Sequence, residues 1–150
     1  MTDAIFRPAR EADLPAILAL LADDPLGKNR EADAGDPAYT AAFEAMAADP
    51  NQLLAVAERT GEIVGTLQLT FIPGLSRGGT WRGQIEAVRI ASAHRGEGLG
   101  ERFMRWAIET CQQRGCALVQ LTSDRTRGEA HRFYDRLGFT ASHLGYKLKL

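Results

Sequence analysis

The sequence predicts an α/β (α+β) fold, a single domain over residues 1–150 with a mixed, mostly antiparallel central sheet of six or seven strands and helices on both faces. Three observations lead to it. Stretches that alternate apolar and polar residues are interleaved with stretches of helical spacing along the whole chain. Gln52 to Arg59, Glu62 to Ile72 and Thr80 to Ala91 read as strands joined by short links, the pattern of an antiparallel meander. The last of these passes through a short Gly-rich turn directly into a helical pattern.

Each element has a local reason. Ile5 to Pro8 reads as a short strand, and Pro8 limits ladder donation, which suits a sheet edge. A helix is expected from about Glu11 to Asp23, with Leu14, Ile17, Leu18 and Leu21 at helical spacing. The polar run from Asp23 through Pro25 to Arg30 breaks it, and the loop continues to Asp36. Pro37 opens a second helix that runs to Ala48, with Tyr39, Phe43 and Met46 on its apolar side. Leu54 and Val56 alternate in the next strand, Thr60-Gly61 turns the chain, and Ile63, Val64, Leu67, Leu69 and Phe71 mark the partner strand. Pro73 to Gly79 is a connection before the strand that begins at Thr80.

The helix after the Gly-rich turn carries Leu99, Phe103, Trp106, Ala107 and Cys111 on one stripe and ends near Arg114-Gly115, where glycine suits a C-terminal cap. Cys116 to Leu121 is short and almost wholly apolar, which predicts a strand buried on both faces. A fourth helix is expected from about Gly128 to Leu137, closed by Gly138. From Phe139 onward a last strand pair is expected, ending in the alternating run Tyr146-Lys147-Leu148-Lys149-Leu150.

Composition narrows the function. The chain has 150 residues, 45% hydrophobic and 25% charged, enough for one sizeable core. A net charge of −1 gives no basic excess for nucleic-acid binding. No apolar run approaches the roughly 18 residues needed to span a bilayer. Met1-Thr2-Asp3-Ala4 lacks the basic start and apolar core of a signal peptide, so a cytoplasmic location is expected. Cys111 and Cys116 form neither a disulfide framework nor a metal site, and no metal is expected.

The stretch from Val88 to Gly100 carries the chemistry. The first N–H groups of a helix lack intrahelical partners, and the macrodipole adds positive character there. A Gly-rich turn leading into such a terminus is an anion cradle, and Arg95 adds a cation beside it. A Walker A loop would need Lys-Ser or Lys-Thr after the last glycine, but Glu101-Arg102 follows Gly100. The dinucleotide spacing G-x-G-x-x-G fails as well, because its third glycine would fall on Glu101. The pattern that remains is Arg-x-x-Gly-x-Gly, at Arg95, Gly98 and Gly100.

That pattern resembles the coenzyme A diphosphate loop of the GCN5-related N-acetyltransferase (GNAT) superfamily. Ala130-His131-Arg132-Phe133-Tyr134-Asp135-Arg136-Leu137-Gly138-Phe139 resembles the superfamily's A-x-x-[FL]-Y-x-x-x-G-F segment, one strand further on. The order of elements in the first half agrees. The resemblance implies acetyl-CoA as co-substrate, entering between two central strands that splay apart. Its pantetheine arm would pair with the backbone of Val88, Arg89 and Ile90, and its diphosphate with the N–H groups of Arg95, Gly96, Glu97, Gly98, Leu99 and Gly100. Glu97 would point its side chain to solvent. Ala130 would leave room for the pantetheine arm. Tyr134 matches the family tyrosine that protonates, or hydrogen-bonds, the leaving thiolate. Many members carry Asn three residues before the alanine, where it meets the cofactor. Here Arg127 stands at that position, and the resemblance carries over only a contact to a pantetheine carbonyl or a phosphate.

A base must free the incoming ammonium of a proton. Glu86 is the candidate, since members often place an acid on this strand. A regularly alternating strand would set Glu86, Val88 and Ile90 on one face, among apolar neighbours that raise its basicity. His94, His131 and His143 are rivals. No Ser-His-Asp or Cys-His set can be proposed, which favours direct transfer in a ternary complex over an acetyl-enzyme. The acceptor site is expected from the loop Asp24 to Asp36, the first two helices and the connection Pro73 to Trp81. The acids Asp23, Asp24, Glu31, Asp33 and Asp36 would suit a cationic amine. The expected activity is acetyl-CoA-dependent N-acetylation of a small primary amine. A protein or peptide amine, or a non-catalytic acyl-CoA-binding domain of the same fold, are the alternatives. Neither nucleic acid nor a membrane is expected as a partner, and a homodimer is left open.

Overall fold

A computed structural model describes residues 3–24 and 26–150. The readings placed on Met1, Thr2 and Pro25 fall outside the described residues. Strand β1 is Ile5–Pro8, β2 is Gln52–Arg59, β3 is Glu62–Ile72, β4 is Trp81–Ile90 and β5 is Cys116–Gln120. They form one sheet in the order β1-β2-β3-β4-β5. The first three pairings are antiparallel, and β4 with β5 is parallel. Thr60 and Gly61 both hold positive φ, +50° and +81°, so the β2–β3 hairpin closes on a two-residue turn whose twist matches the strands. Proline at the end of β1 is tolerated because that strand is an edge.

Five helical segments flank the sheet. A short 3₁₀ turn at Glu11–Asp13 leads into α1, Leu14–Ala22. The single helical turn α2 is Gly27–Arg30, and α3 is Pro37–Ala48, where the Asp36 carboxylate accepts from the Ala38 N–H as an N-cap. Helix α4 is Leu99–Gln113 and α5 is Gly128–Arg136. Ser76–Gly79 is a turn in which Arg77 and Gly78 are left-handed. No helix among the described residues is long and apolar enough to cross a membrane.

The main core lies between the sheet and α4. Leu99, Phe103, Met104, Ala107 and Cys111 are buried on one face of that helix, at the helical spacing that the sequence displays. They pack against Ala55, Leu69, Phe71 and Ile85 of the strands. Phe103 stacks on Phe6 with ring centroids 4.9 Å apart, which fastens the edge strand to the helix. Each such side chain contributes about 1.5–3 kcal/mol on burial. The approach is close: a Cβ on Gly83 would collide with Cys111, so glycine is what lets α4 sit on β4. Helices α1 and α3 cover the other face, where a cavity of about 170 Å³ separates them from the strands.

The expected strand count needs correction. The sheet has five strands, not six or seven. The run from Tyr146 to Leu150 alternates as a strand should, but no residue from Phe139 onward forms a ladder with the described residues, and Leu144, Tyr146, Leu148 and Leu150 are exposed. Alternation makes a segment fit for a sheet, while pairing needs an edge in reach. The same absence leaves β5 at the edge, so it is half-buried rather than enclosed on both faces.

Candidate active site

Between β4 and β5 the ladder stops early. The parallel register runs from Trp81↔Cys116 to Gln84↔Gln120 and no further. Glu86 to Ile90 continue along β3 alone. On the side facing β5, the backbone of Val88, Arg89 and Ile90 therefore has no strand neighbour. A backbone edge without a strand neighbour needs other partners, and here the Val88 carbonyl accepts from Arg89 Nη1 and the Ile90 carbonyl from Arg95 Nε.

A bulge shapes the strand at this point. Gln68 stands opposite Glu86 but Thr66 opposite Arg89, so β4 holds one residue more than β3. Ala87 takes it up with φ +54°, a strained value for a residue with a Cβ. The bulge overturns the expected alternation. Glu86 and Arg89 lie opposite Gln68 and Thr66, two residues that line the α1/α3 cavity, as does Ala87 itself. Val88 and Ile90 pack with the α4 core instead. Glu86 is exposed rather than ringed by apolar side chains, and it makes no ion pair or hydrogen bond among the described residues.

The loop after β4 has the cradle geometry. Ser92–His94 makes one 3₁₀ turn, and Gly98 is the N-cap of α4. Gly96 and Gly98 hold φ of +79° and +78°, and a Cβ on either would meet nothing within 4 Å. The backbone thus presents itself to open space in a conformation that glycine adopts without strain. Both features fit the approach of a diphosphate. Arg95 Nε donates to the Ile90 carbonyl at 3.2 Å, which folds its side chain back toward β4. A Cβ on Gly100 would lie 3.6 Å from Ile90 Cγ1 and 3.7 Å from Phe133 Cζ, so β4, α4 and α5 converge there.

Glu97 does not simply point to solvent. Its Oε2 accepts from Arg59 Nη1 at 2.7 Å, and His94 Nδ1 lies 3.1 Å from the same guanidinium atom. The Arg59 hydrogen bond holds the Glu97 carboxyl below its ordinary range. Arg59 Nε is buried without a partner among the described residues. The sequence reading missed Arg59, because 38 residues separate it from Glu97 and only the β2–β3 hairpin brings them together. His131 sits on the Asp124 carbonyl and His143 on Ser142, each engaged close to home.

Tyr134 lies on α5, half-buried, with its ring edge-on to Phe133 and Phe139. Its hydroxyl makes no hydrogen bond to the described residues, so the donor is available. Burial pushes its pKa above the usual value, against the opposing charges of Arg127 and Arg89. The phenol therefore stays protonated at neutral pH. Ala130, one turn before, is half-buried on the same face.

Arg127 precedes α5 and makes a bidentate pair with Asp24, at 2.9 and 3.0 Å. Arg89 Nε lies 3.4 Å from the same carboxylate but is misaligned for a hydrogen bond, and that buried N–H has no partner. Burial lowers the Arg89 pKa, with the Asp24 charge opposing. For Asp24, burial acts upward but is outweighed by the hydrogen bonds from Arg127 and the Leu26 N–H and by the Arg89 charge, leaving the carboxyl far below its usual range. Asp24 is thus committed to two arginines. Asp36 caps α3, Asp33 accepts from the Gly35 N–H, and Glu31 accepts from the Tyr39 hydroxyl. The acids of this loop hold backbone and neighbours in place. Trp81 and Leu75 of the other connection are exposed, and the cavity is lined from α1, α3 and the sheet by residues including Leu14, Ile17, Tyr39 and Met46.

The Asp24 cluster gives a stability test. Its folded pKa is depressed, so its contribution is complete above the unfolded value of about 3.9 and is lost as pH falls below that. Removing the carboxylate strands two arginines, but the Arg127 side chain is 31% exposed and solvent screens part of the loss. Asp24→Asn is expected to cost about 2 kcal/mol at pH 7. The deficit should shrink toward pH 3. Urea unfolding at the two pH values measures both, and an equal deficit at each would place the stabilisation elsewhere.

The Acetyltransferase (GNAT) family model matches residues 14–139. An aminoalkylphosphonate N-acetyltransferase of Salmonella typhimurium is 34% identical over 93% of this chain and 87% of its own length. A glucosamine 6-phosphate N-acetyltransferase of Trypanosoma brucei brucei is 36% identical over 61% of the chain and 60% of its own. Among solved structures, one described as a transcriptional regulator from Bacillus halodurans C-125 is 47% identical, with a TM-score of 0.94 over 98% of this chain and 99% of that one. With the fold, the interrupted β4–β5 ladder and the glycine loop in agreement with that family match, the chain belongs to the GNAT family of acetyltransferases.

Proposed function

We propose that the chain transfers the acetyl group of acetyl-CoA to the primary amine of a small molecule, directly, in a ternary complex. The observation that carries this reading is the gap beyond Gln84 and Gln120, where the stretch Val88–Ile90, with no strand neighbour on the β5 side, leads into the open glycine loop. Acetyl-CoA supplies an acyl group activated as a thioester. Val88, Arg89 and Ile90 bind its amide arm through their backbone, and Arg95 to Gly100 take the diphosphate. Ala130 leaves space beside the arm. Arg127 holds Asp24 and supports α5 through that pair rather than through the cofactor.

The amine enters over the α1/α3 cavity, whose wall includes Ala87 and Gln68 beside Glu86. Glu86 accepts a proton from the ammonium, directly or through a water, because only the free amine attacks. Tyr134 donates to the departing sulfur. Its raised pKa keeps the phenol protonated at neutral pH, so a donor is present when charge develops on sulfur.

The reading favours an acceptor with a phosphonate or phosphate group. The named relatives act on an aminoalkylphosphonate and on glucosamine 6-phosphate. Beside the bulge, Arg89 and Arg127 share the one carboxylate of Asp24, and Arg30 of α2 lies within electrostatic reach of Arg89. Glu31 is engaged by Tyr39 and Asp124 by Thr126. The cations at this end thus retain donors for an oxyanion, with guanidinium geometry suited to phosphonate.

Acetyl transfer, followed by release of free thiol from acetyl-CoA, tests the mechanism. Tyr134→Phe is expected to lower kcat about 10- to 10³-fold while calorimetric acetyl-CoA affinity stays near that of the parent. A normal kcat would remove Tyr134 from the reaction. Glu86→Gln should lower kcat/KM about 10²-fold and abolish or shift the acidic limb of the pH–rate profile. An unchanged limb assigns the base to another group. Arg30→Ala should raise KM about 10-fold for an aminoalkylphosphonate, the loss of one charge-assisted contact, and leave KM for the matching amine without phosphonate unaltered. Equal changes for both would refute anion recognition.

A further inference from the structure

Two carboxylates belong to the N-terminus of α4, where the glycine loop ends. Glu101 sits in the first turn of the helix and accepts from Arg105, one turn on, at 2.8 and 3.1 Å. Glu97 stands inside the loop itself, between Gly96 and Gly98. Its Oε2 accepts from Arg59 Nη1 at 2.7 Å, and His94 Nδ1 lies 3.8 Å away. The Arg59 side chain is 12% exposed and that of Glu97 36%. The arginine is thus the embedded member of the pair, and the glutamate is the one at the surface.

The hairpin puts Arg59 there. It is the last residue of β2, directly before the turn at Thr60-Gly61. Across the hairpin, β3 pairs with β4 as far as Gly65↔Ile90, and the Ala91 N–H donates to the Val64 carbonyl at 2.8 Å. The end of the hairpin therefore lies beside the start of the loop. Little else holds that loop. A Cβ on Gly96 or Gly98 would meet nothing within 4 Å. Among the described residues, the N–H groups of Gly96, Glu97 and Gly98 donate to no backbone carbonyl. Successive free amides at a helix start attract an anion, and this loop carries one of its own.

We propose that Arg59 is a positioning residue for cofactor binding: it holds the Glu97 carboxylate away from the loop amides, so that they stay open to the diphosphate of acetyl-CoA. This rests on the reading of the glycine loop as the diphosphate site. Without Arg59 the Glu97 charge weakens binding in two ways. It repels a second anion at close range, and it can turn onto the N–H groups of its own loop, as a capping carboxylate does. Arg59 opposes both, because it neutralises the charge and pins the group from the hairpin side. His94 Nδ1, 3.1 Å from the same Arg59 Nη1, keeps the guanidinium at the loop. Arg95, close to Glu97 in the chain, places its Nε on the Ile90 carbonyl instead and forms no ion pair with Glu97 among the described residues.

Calorimetry on the purified full chain, with steady-state kinetics, tests this. Arg59→Gln is expected to raise the acetyl-CoA dissociation constant about 10-fold, with kcat at saturation changed less than about 2-fold. The same loss is expected with acetyl-dephospho-CoA, which keeps the diphosphate, and none with acetyl-pantetheine, which lacks it. Glu97→Gln placed in the Arg59→Gln background should bring the affinity back to within about 2-fold of the parent. That rescue separates the proposal from a structural role, since a hairpin that had merely loosened would stay weak whatever stood at position 97. Arg59→Met, which keeps an apolar stem in the buried position, is the second variant should Arg59→Gln fail to fold, and the same loss and rescue are expected of it. An unchanged acetyl-CoA affinity in a folded variant overturns the proposal. So does a loss that Glu97→Gln fails to repair, a loss shared equally by acetyl-pantetheine, or one that vanishes with acetyl-dephospho-CoA and so belongs to the 3′-phosphate. A parent chain that binds acetyl-CoA no more tightly than acetyl-pantetheine would withdraw the loop as a diphosphate site, and this inference with it.

Discussion

One extra residue in β4 sets the geometry of the site. The bulge at Ala87 turns Glu86 and Arg89 toward the α1/α3 side while Val88 and Ile90 keep to the α4 core. A bulge also bends its strand and increases the local twist, and the β4–β5 ladder has already ended just before it, at Gln84 and Gln120. One side of β4 is thereby left without a strand neighbour, and a carboxylate is turned toward the α1/α3 cavity. The strain of a left-handed alanine is borne at the position where regular pairing would close the gap.

The second constraint is electrostatic. Asp24 lies at the end of α1, Arg89 in β4 and Arg127 at the start of α5, and one buried carboxylate joins all three. Burying that carboxylate alone would be costly, and the Arg127 pair, the Leu26 N–H and the Arg89 charge together outweigh the desolvation. The result is a cross-link between elements that the sheet does not connect. Arg59 does comparable work at the other end, tying the β2–β3 hairpin to Glu97 in the glycine loop. Each pair fixes a segment with few packing contacts of its own.

Local periodicity made most of the fold legible. The spacing of Leu99, Phe103, Ala107 and Cys111 identified the buried stripe of α4, and β2 and β3 fall where alternation placed them. The bulge was invisible, because Glu86-Ala87-Val88-Arg89-Ile90 reads as an ordinary alternating strand and the extra residue exists only relative to β3. The Asp24 cluster was equally hidden: 103 residues separate Asp24 from Arg127, and a loop rich in acids looks like a cation site until its partners are known. The tail misled for the opposite reason. Tyr146 to Leu150 has the pattern of a strand, but pairing is a property of two segments, and pattern reports on one.

The asymmetry of the two sheet edges bears on how this subunit is held together. Strand β1 is fastened from both sides, by Phe6 stacking on Phe103 and by Arg7 reaching Asp13 and Glu58. At the β5 end, α5 joins the body through the Asp24–Arg127 pair, the contacts near Gly100 and a half-covered row of aromatics. A helix so lightly packed is free to adjust, and local opening is cheapest where few apolar contacts must be broken. In the proposed reaction Tyr134 would have to aim its hydroxyl at one sulfur atom, and misplacement of a donor by even an ångström weakens catalysis. The proposed donor thus stands on a helix with no fully buried residue. What fixes α5 in this structure is the Asp24–Arg127 pair together with the contacts near Gly100.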